Sequence, residues 1–370
     1  MIIGIDANEA NVTDRVGISE YAYQVLTKFY EFRKGGNNSH SFVIYLKSPP
    51  LDVLPDKTDW WSYKIVKPAK LWTQIGMPIN MIMPGKKPDV FLTLTHYLPR
   101  ILRMPSVVSV MDLSYLHFPE TFRKNDLYQL TEWTKYSVKK ASKVITISNS
   151  SKDDIIKYYK IPEKKVSVVH LGLKDLPMES SSRDLSKFGV TKKFILFVGT
   201  LQPRKNIESL VEAYSLLPKN LRSQYQLVIV GKKGWLYEDI LNSPEKFGVV
   251  DEVLFLDYVT DEDLPHFYKQ AEVFVLPSLY EGFGLPILEA MRYGCPVATS
   301  NVSSLPEAGG DAAEYFDPND VMDISNTIKK ILEDSGLRKK MIEKGNEHYK
   351  KFTWDKAAKE VLKVVEQTVV

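Results

Sequence analysis

Short apolar runs recur along the chain and alternate with stretches in which apolar residues return every three to four positions. Residues 2–7 read as a buried first strand, followed by a loop ending at Gly17 and a helix over 18–32. Further strands are expected at 42–46, 63–66, 90–94 and 107–111, with helices over 71–83, closed by Pro84-Gly85, and over 120–141. A strand at 144–148, a helix over 149–159 capped by Asn149 or Ser150, and a strand at 166–171 complete this part. Between 174 and 192 the apolar period lapses into Pro177, Ser180-Ser181-Ser182 and scattered charges, which reads as a connection.

The pattern then restarts. Strands are expected at 194–198, 227–230, 253–256, 273–276, 296–300 and 314–316. Helices are expected over 207–217, 264–271, 321–333 and 337–352, with one opening at Gly284 or Leu285 that carries Pro286 in its first turn. Residues 354–365 again show helical spacing. Strands alternating with helices predict an α/β protein with doubly wound parallel sheets, in two halves, 1–173 and 193–353. Ligands of such sheets sit at the carboxyl ends of strands, and two halves make the cleft between them the natural site.

Composition narrows the class. The chain has 370 residues, 44% hydrophobic and 26% charged, enough for two cores. A net charge of +3, without zinc-finger spacing, an RNP-like motif or a long basic block, gives no support for a nucleic-acid partner. The single cysteine, Cys295, rules out an internal disulfide and fits a reducing compartment. No stretch approaches a membrane span and the first residues do not resemble a signal peptide. The expectation is a cytoplasmic protein, free or peripheral on the inner face of the cell membrane.

Four loops after strands are candidates for chemistry. Gly199-Thr200-Leu201-Gln202-Pro203-Arg204-Lys205-Asn206 sets two cations beside a helix that Asn206 can cap. The helix dipole disfavours cations there, and a bound anion resolves the conflict: Arg forks onto phosphate oxygens and Lys adds a point charge. The second loop is Glu281-Gly282-Phe283-Gly284-Leu285, whose two glycines let backbone N–H groups approach a ligand, with Glu289 about one turn into the following helix. Only Glu289 of the two acids is helical. The third is Gly17, which either permits close backbone approach or simply turns the chain. The fourth is Asp112, at a strand's carboxyl end, which either orients a ligand hydroxyl or caps a turn. His96 and His117 lie nearby in sequence. Neither a P-loop, a dinucleotide-binding glycine fingerprint, a nucleophile elbow nor a zinc-protease motif occurs. Asp261-Glu262-Asp263 has the letters of a metal pattern but sits at a helix start, where Thr260 or Asp261 caps.

Taken together, Glu281 and Glu289 around Gly-Phe-Gly-Leu-Pro, and Arg204-Lys205 in a Gly-Thr-Leu-x-Pro-Arg-Lys-Asn loop, resemble the retaining glycosyltransferases of family 4. The resemblance extends through the run Ser300-Asn301-Val302-Ser303-Ser304-Leu305-Pro306-Glu307 and the Phe352-Thr353-Trp354 segment. It implies the GT-B fold of two Rossmann-like domains, with a terminal helix over 354–370 crossing back onto the first. Within the family the chain looks most like mannosyltransferase-type enzymes of surface polysaccharide assembly. The partners so implied are a nucleotide-diphosphate sugar, GDP-mannose or a UDP-hexose, and a saccharide or lipid-linked acceptor. No cofactor or metal is implied.

The resemblance also implies roles. Arg204 and Lys205 hold the donor diphosphate, Glu289 binds the ribose, and Glu281 lies near the donor sugar. The backbone of Phe283, Gly284 and Leu285 meets sugar hydroxyls or phosphate, and Gly282 is among the donor-binding residues. Gly17 approaches the diphosphate, the base sits near Gly231 and the Tyr258-Val259 loop, and Gly199 and Thr200 also bind the donor. One departure stands out: relatives often carry His-Asp where this chain has Met111-Asp112, and methionine supplies no strong hydrogen bond. Either Asp112 suffices, or His96 or His117 compensates, or activity is altered. Two rivals remain, a GT-B epimerase or phosphorylase and a non-catalytic sugar-nucleotide sensor. On the acceptor side, Lys139, Lys140, Lys143, Lys157, Lys160, Lys164 and Lys165 either meet anionic headgroups or are solvated helix faces.

Overall fold

The computed structural model describes residues 1–36, 38–174 and 183–369, which form two compact units. The expected connection over 174–192 falls largely on 175–182, outside the described residues. One unit is residues 1–172 with 352–370, and the other is residues 173–351.

The first unit is built on seven strands: β1 (Ile2–Asp6), β2 (Ser41–Leu46), β3 (Trp61–Ile65), β4 (Val90–Thr93), β5 (Ser106–Ser109), β6 (Lys143–Thr146) and β7 (Val166–Val168). All neighbours pair in parallel in the order β3-β2-β1-β4-β5-β6-β7. β4 is buried at every position, as expected of a central strand covered on both faces. The order reverses between β1 and β4, which opens a crevice at their carboxyl ends. The C-terminal helix Trp354–Glu366 belongs to this unit. It buries Trp354, Ala357, Ala358, Val361, Leu362 and Val365, one helical face, and its Lys356 N–H is capped by Thr353 Oγ1 at 3.3 Å. Trp354 lies 6.4 Å from the Tyr21 ring, and Asp355 pairs with Lys28 at 2.9 Å, fixing this helix against the helix Ile18–Lys34.

The second unit carries β8 (Lys193–Val198), β9 (Tyr225–Val230), β10 (Val253–Leu256), β11 (Val273–Leu276), β12 (Val297–Ser300) and β13 (Ala313–Phe316). They form a parallel sheet in the order β10-β9-β8-β11-β12-β13, and its order reverses between β8 and β11. Residues 183–192 pack onto this unit: Arg183 pairs with Asp263 at 3.1 Å, and Phe188 lies 5.3 Å from Phe267.

Several elements differ from the sequence pattern. The long helix over 120–141 is three pieces, Lys124–Tyr128, a π-helical turn Gln129–Trp133, and Thr134–Lys140, because Arg123 is extended and the π turn adds a residue per turn. A π turn also opens the helix over 71–83, as Trp72–Gly76 before Met77–Ile82. The helix Glu238–Lys246, unanticipated, carries Pro244 inside it. Ser148, not Asn149 or Ser150, caps Asn149–Tyr159, accepting the Ser151 N–H at 3.0 Å; Asn149 is already helical. Asn206 precedes Ile207–Ser215 at φ 56° without capping it by its side chain, which instead accepts from the Ser209 hydroxyl and donates to Pro318 O. Among the described residues no helix is long and apolar enough to cross a membrane.

Candidate functional site

In the second unit the loops after β8 and β11 leave adjacent strands at the point where strand order reverses, so their tips meet. Arg204 and Lys205 sit on a single 3-10 turn, Pro203–Lys205, before the helix Ile207–Ser215. Lys205 Nζ donates to Glu281 Oε1 at 2.5 Å, and Arg204 Nη1 donates to Glu281 Oε2 at 3.0 Å and to Tyr280 O at 2.5 Å. The Leu279 N–H closes back onto Arg204 O at 2.9 Å. Ser278 Oγ adds a donor to Glu281 Oε1 at 2.7 Å. The hydroxyls of Ser303 and Ser304 both donate to Glu281 O, at 2.7 and 2.8 Å.

Glu281 and Lys205 are both 8% exposed, so this ion pair is enclosed. Burial alone pushes the Glu281 carboxyl up; Lys205 first and Arg204 second outweigh it and bring the group down to about 2. The carboxylate is therefore ionised throughout the neutral range with both oxygens engaged. It holds the two cations in place, and its basicity is too low for it to serve as a general base near pH 7.

Glu289 lies on Leu285–Arg292 and accepts from Tyr268 Oη at 2.8 Å. Burial pushes its carboxyl above the usual range. The Tyr268 ring stacks on Tyr293 at 5.9 Å, so the partner that orients Glu289 is itself fixed. Gly284 caps this helix at φ 107°, a left-handed conformation that favours glycine, and a Cβ there would press on Leu305 at 3.0 Å. Gly282 and Phe283 are buried beside it and Leu285 is half-buried. Gly199 and Gly231 lie against each other: any side chain at 231 would run into the Gly199 carbonyl. Thr200 is exposed, Tyr258 is 59% exposed beneath Lys232 at 4.4 Å, and Val259 is buried. The structure thus joins Arg204, Lys205 and Glu281 directly within one unit and places Glu289 on the adjoining helix.

In the first unit Gly17 caps Ile18–Lys34 at φ 53°, with open space where a Cβ would stand. Asp112 accepts the Ser114 N–H at 2.8 Å, which starts the short helix Ser114–His117. His96 Nε2 accepts the Met111 N–H at 3.1 Å. Burial pushes the imidazole down to about 4 against the pull of Asp112, so the ring is neutral and its proton is on Nδ1, a buried atom with no hydrogen-bond partner. His117 is engaged elsewhere, 2.8 Å from Asp154.

A cavity of about 270 Å³ opens at the carboxyl ends of β1 and β4, lined by Asp6, Glu9, Lys47, Trp72, Tyr97 and Trp133 among others. Burial pushes the Asp6 carboxyl up to about 6, opposed by hydrogen bonds from Asn8. The sequence reading missed Asp6, although it is an acid at a strand's carboxyl end, the same signal that singled out Asp112. Ser278 and Tyr268 had no signal, since their roles depend on contacts with Glu281 and Glu289 across the fold.

The family models agree with this arrangement: "Glycosyl transferases group 1" matches residues 178–348 and "Glycosyltransferase Family 4" matches residues 73–175. Two parallel-sheet units with these loops make the chain a GT-B glycosyltransferase. It belongs to glycosyltransferase family 4. It is 37% identical over 264 residues to the O-antigen chain mannosyltransferase B of Escherichia coli, covering 70% of this chain and 69% of the relative. It is also 34% identical over 252 residues to a serotype-specific mannosyltransferase, WbdA, of Escherichia coli, covering 66% of this chain but only 30% of that much longer protein. The crystal structure of HepE from Anabaena in complex with UDP superimposes with a TM-score of 0.73 at 18% identity over 99% of both chains, a likeness of fold.

Proposed function

We propose that this glycosyltransferase moves a mannosyl residue from a nucleotide-diphosphate donor, GDP-mannose first, to a hydroxyl of a saccharide or lipid-linked saccharide, with retention at the anomeric carbon. The observation that carries the chemistry is the Arg204–Lys205–Glu281 cluster where strand order reverses. Mannose as the sugar is supported by the likeness to O-antigen mannosyltransferases. A UDP-hexose is the second reading, favoured by the UDP bound in the Anabaena neighbour.

In this reading the bond between the anomeric carbon and the diphosphate oxygen breaks with its electron pair staying on the diphosphate, the acceptor oxygen bonds the anomeric carbon, and the acceptor hydroxyl's proton passes to the departing diphosphate. Arg204 and Lys205 meet that developing charge, already placed by Glu281 and therefore needing little reorganisation. Backbone N–H groups around Gly282, Phe283, Gly284 and Leu285 add dipoles at the start of a helix. Glu289, oriented by Tyr268, binds the ribose hydroxyls. The loops holding Gly199, Thr200, Gly231, Tyr258 and Val259 receive the nucleoside. Gly17 gives the diphosphate close backbone approach, and Asp112 bears on the sugar. A peripheral place on the inner face of the membrane suits a lipid-linked acceptor.

A thermal-shift screen of GDP-, UDP- and dTDP-sugars identifies the donor, since a ligand of the folded state raises the midpoint. With that donor, Arg204→Ala and Lys205→Ala are each expected to lower turnover roughly 10²–10³-fold. Full activity in either variant, with donor still bound, rejects this assignment.

A further inference from the structure

One face of the segment from Leu71 to Met83 is left largely exposed among the described residues. Its inner side seats Trp72, Met77 and Met81 in the core of the first unit. Its outer side carries Leu71, Ile75, Ile79, Ile82 and Met83, each between 41% and 54% exposed. Their spacing of three to four residues gathers them into one stripe along the helical turns Trp72–Gly76 and Met77–Ile82. Scattered surface aliphatics are ordinary; Ile75, Ile79 and Ile82 on one helical face, with Leu71 and Met83 at its two ends, are a patch.

The charges carried by this stretch of chain have one sign. From Trp60 to Pro88 the chain holds five lysines, at 64, 67, 70, 86 and 87, and no Asp or Glu. Lys64, Lys67, Lys70 and Lys86 are exposed. Lys87 is held below the ordinary lysine range by desolvation and by the charge of Lys64, so the two ends of this stretch lie near one another. Exposed Asp59 and Asp89 bound this stretch, and the aliphatic strip with five lysines between them matches an anionic headgroup layer over acyl chains. A second copy of the chain would set these lysines against their own likeness, which opposes an isologous contact. Lysines of both basic regions also donate to carbonyls, Lys67 to Lys47 O and Lys87 to Asn80 O here, Lys143 to Lys164 O and Lys165 to Lys139 O in the other, so it is the exposed aliphatic residues that single out this one.

We propose that the Leu71–Met83 stripe and its surrounding lysines dock this glycosyltransferase onto an anionic lipid surface. Leu71 and Trp72 also line the cavity at the ends of β1 and β4, so docking brings the mouth of that cavity to the membrane. The purpose of such docking rests on the reading of a lipid-linked acceptor given above; the docking itself does not.

The test is co-sedimentation of the full chain with phosphatidylcholine vesicles, with and without phosphatidylglycerol, in the absence of donor and acceptor. Binding is expected only with phosphatidylglycerol and is expected to weaken as salt rises. Ile79→Ser with Ile82→Ser should lower the partition at least about tenfold. Lys67→Gln and Lys70→Gln should each lower it about fivefold. Transfer to a water-soluble acceptor should survive in the Ile79/Ile82 variant, which shows that it folds. Absence of binding to anionic vesicles overturns the proposal. So does equal binding by the Ile79/Ile82 variant, loss of binding in a Lys139→Gln/Lys140→Gln variant, or a wild-type dimer that the stripe variant dissolves. Because no donor is present, failure here leaves the transferase reading standing, and failure of transfer leaves the docking result standing.

Discussion

Glu281→Gln isolates what the buried charge cluster contributes, because the amide keeps the shape and one acceptor oxygen while removing the charge. In the wild type the carboxyl is brought from an ordinary 4.5 to about 2, chiefly by Lys205 and Arg204 acting against burial. Solvent does little screening at a side chain only 8% exposed. A carboxyl so held contributes about 3 kcal/mol of stability at neutral pH. That agrees in size with the roughly 3–5 kcal/mol lost when one partner of a buried ion pair is removed. The sign follows from the direction. A depressed carboxyl stabilises above its unfolded value and loses that contribution as pH falls through the folded value. The deficit of Glu281→Gln should therefore be about 3 kcal/mol at pH 7 and shrink to about 2 kcal/mol at pH 3.5.

Urea titration followed by far-UV circular dichroism at the two pH values measures this. A nucleoside diphosphate brings its own anion to Arg204 and Lys205, so it should raise the midpoint of the variant more than that of the wild type. A deficit below about 1 kcal/mol at pH 7, or one that does not shrink at pH 3.5, refutes the reasoning. The first result would mean that the cations are already satisfied without Glu281, and the second that the carboxyl does not gain its proton in this pH range.

Two further expectations concern the first unit. Asp6 has the opposite sign: burial pushes it up to about 6, so the stability it lends is complete below about 4 and lost as pH rises through 6. Asp6→Asn should gain up to about 3 kcal/mol at pH 7 and nothing near pH 4, read as urea midpoints; destabilisation at pH 7 would contradict this. His96 holds the Met111 N–H with its unprotonated Nε2. His96→Ala should lower kcat/KM about tenfold through a misplaced Met111–Asp112 turn, and His96→Gln should recover part of that by restoring an acceptor. Since His96 titrates near 4, the pH profile of kcat/KM should show no limb between 6 and 8 that disappears in His96→Gln.

How far the sequence was legible depends on whether local chemistry or distant contact decides an element. The strand Val273–Leu276 matches the sequence expectation to the residue and the start of Leu285–Arg292 matches one of its two alternatives, because a short buried run ends in glycines and a proline that only a loop and a helix start accommodate together. The helix over 120–141 was misread because apolar spacing cannot reveal a π turn: the residue added at Gln129–Trp133 shifts the phase but leaves the pattern helical. Glu238–Lys246 escaped because Pro244 signals a break.

The site divides in the same way. Arg204, Lys205, Glu281 and Glu289 are recognisable by residue type and position, yet the pattern offers them as two separate loops and does not join them. Arg204 and Lys205 touch Glu281 within one unit, over a separation of 76 residues from Lys205. What brings them together is the strand order β8-β11, which makes the first and fourth strands of that sheet neighbours. Strand order was the missing term. Taken with the rule that sites form where that order reverses, it would have paired the two loops, and in the first unit it would have put Asp6, at the end of β1, beside the end of β4. The same step recasts Glu281: once it faces two cations in a closed setting, its ionisation is settled by them, and in the proposed reaction its role is to hold the groups that would meet the departing diphosphate.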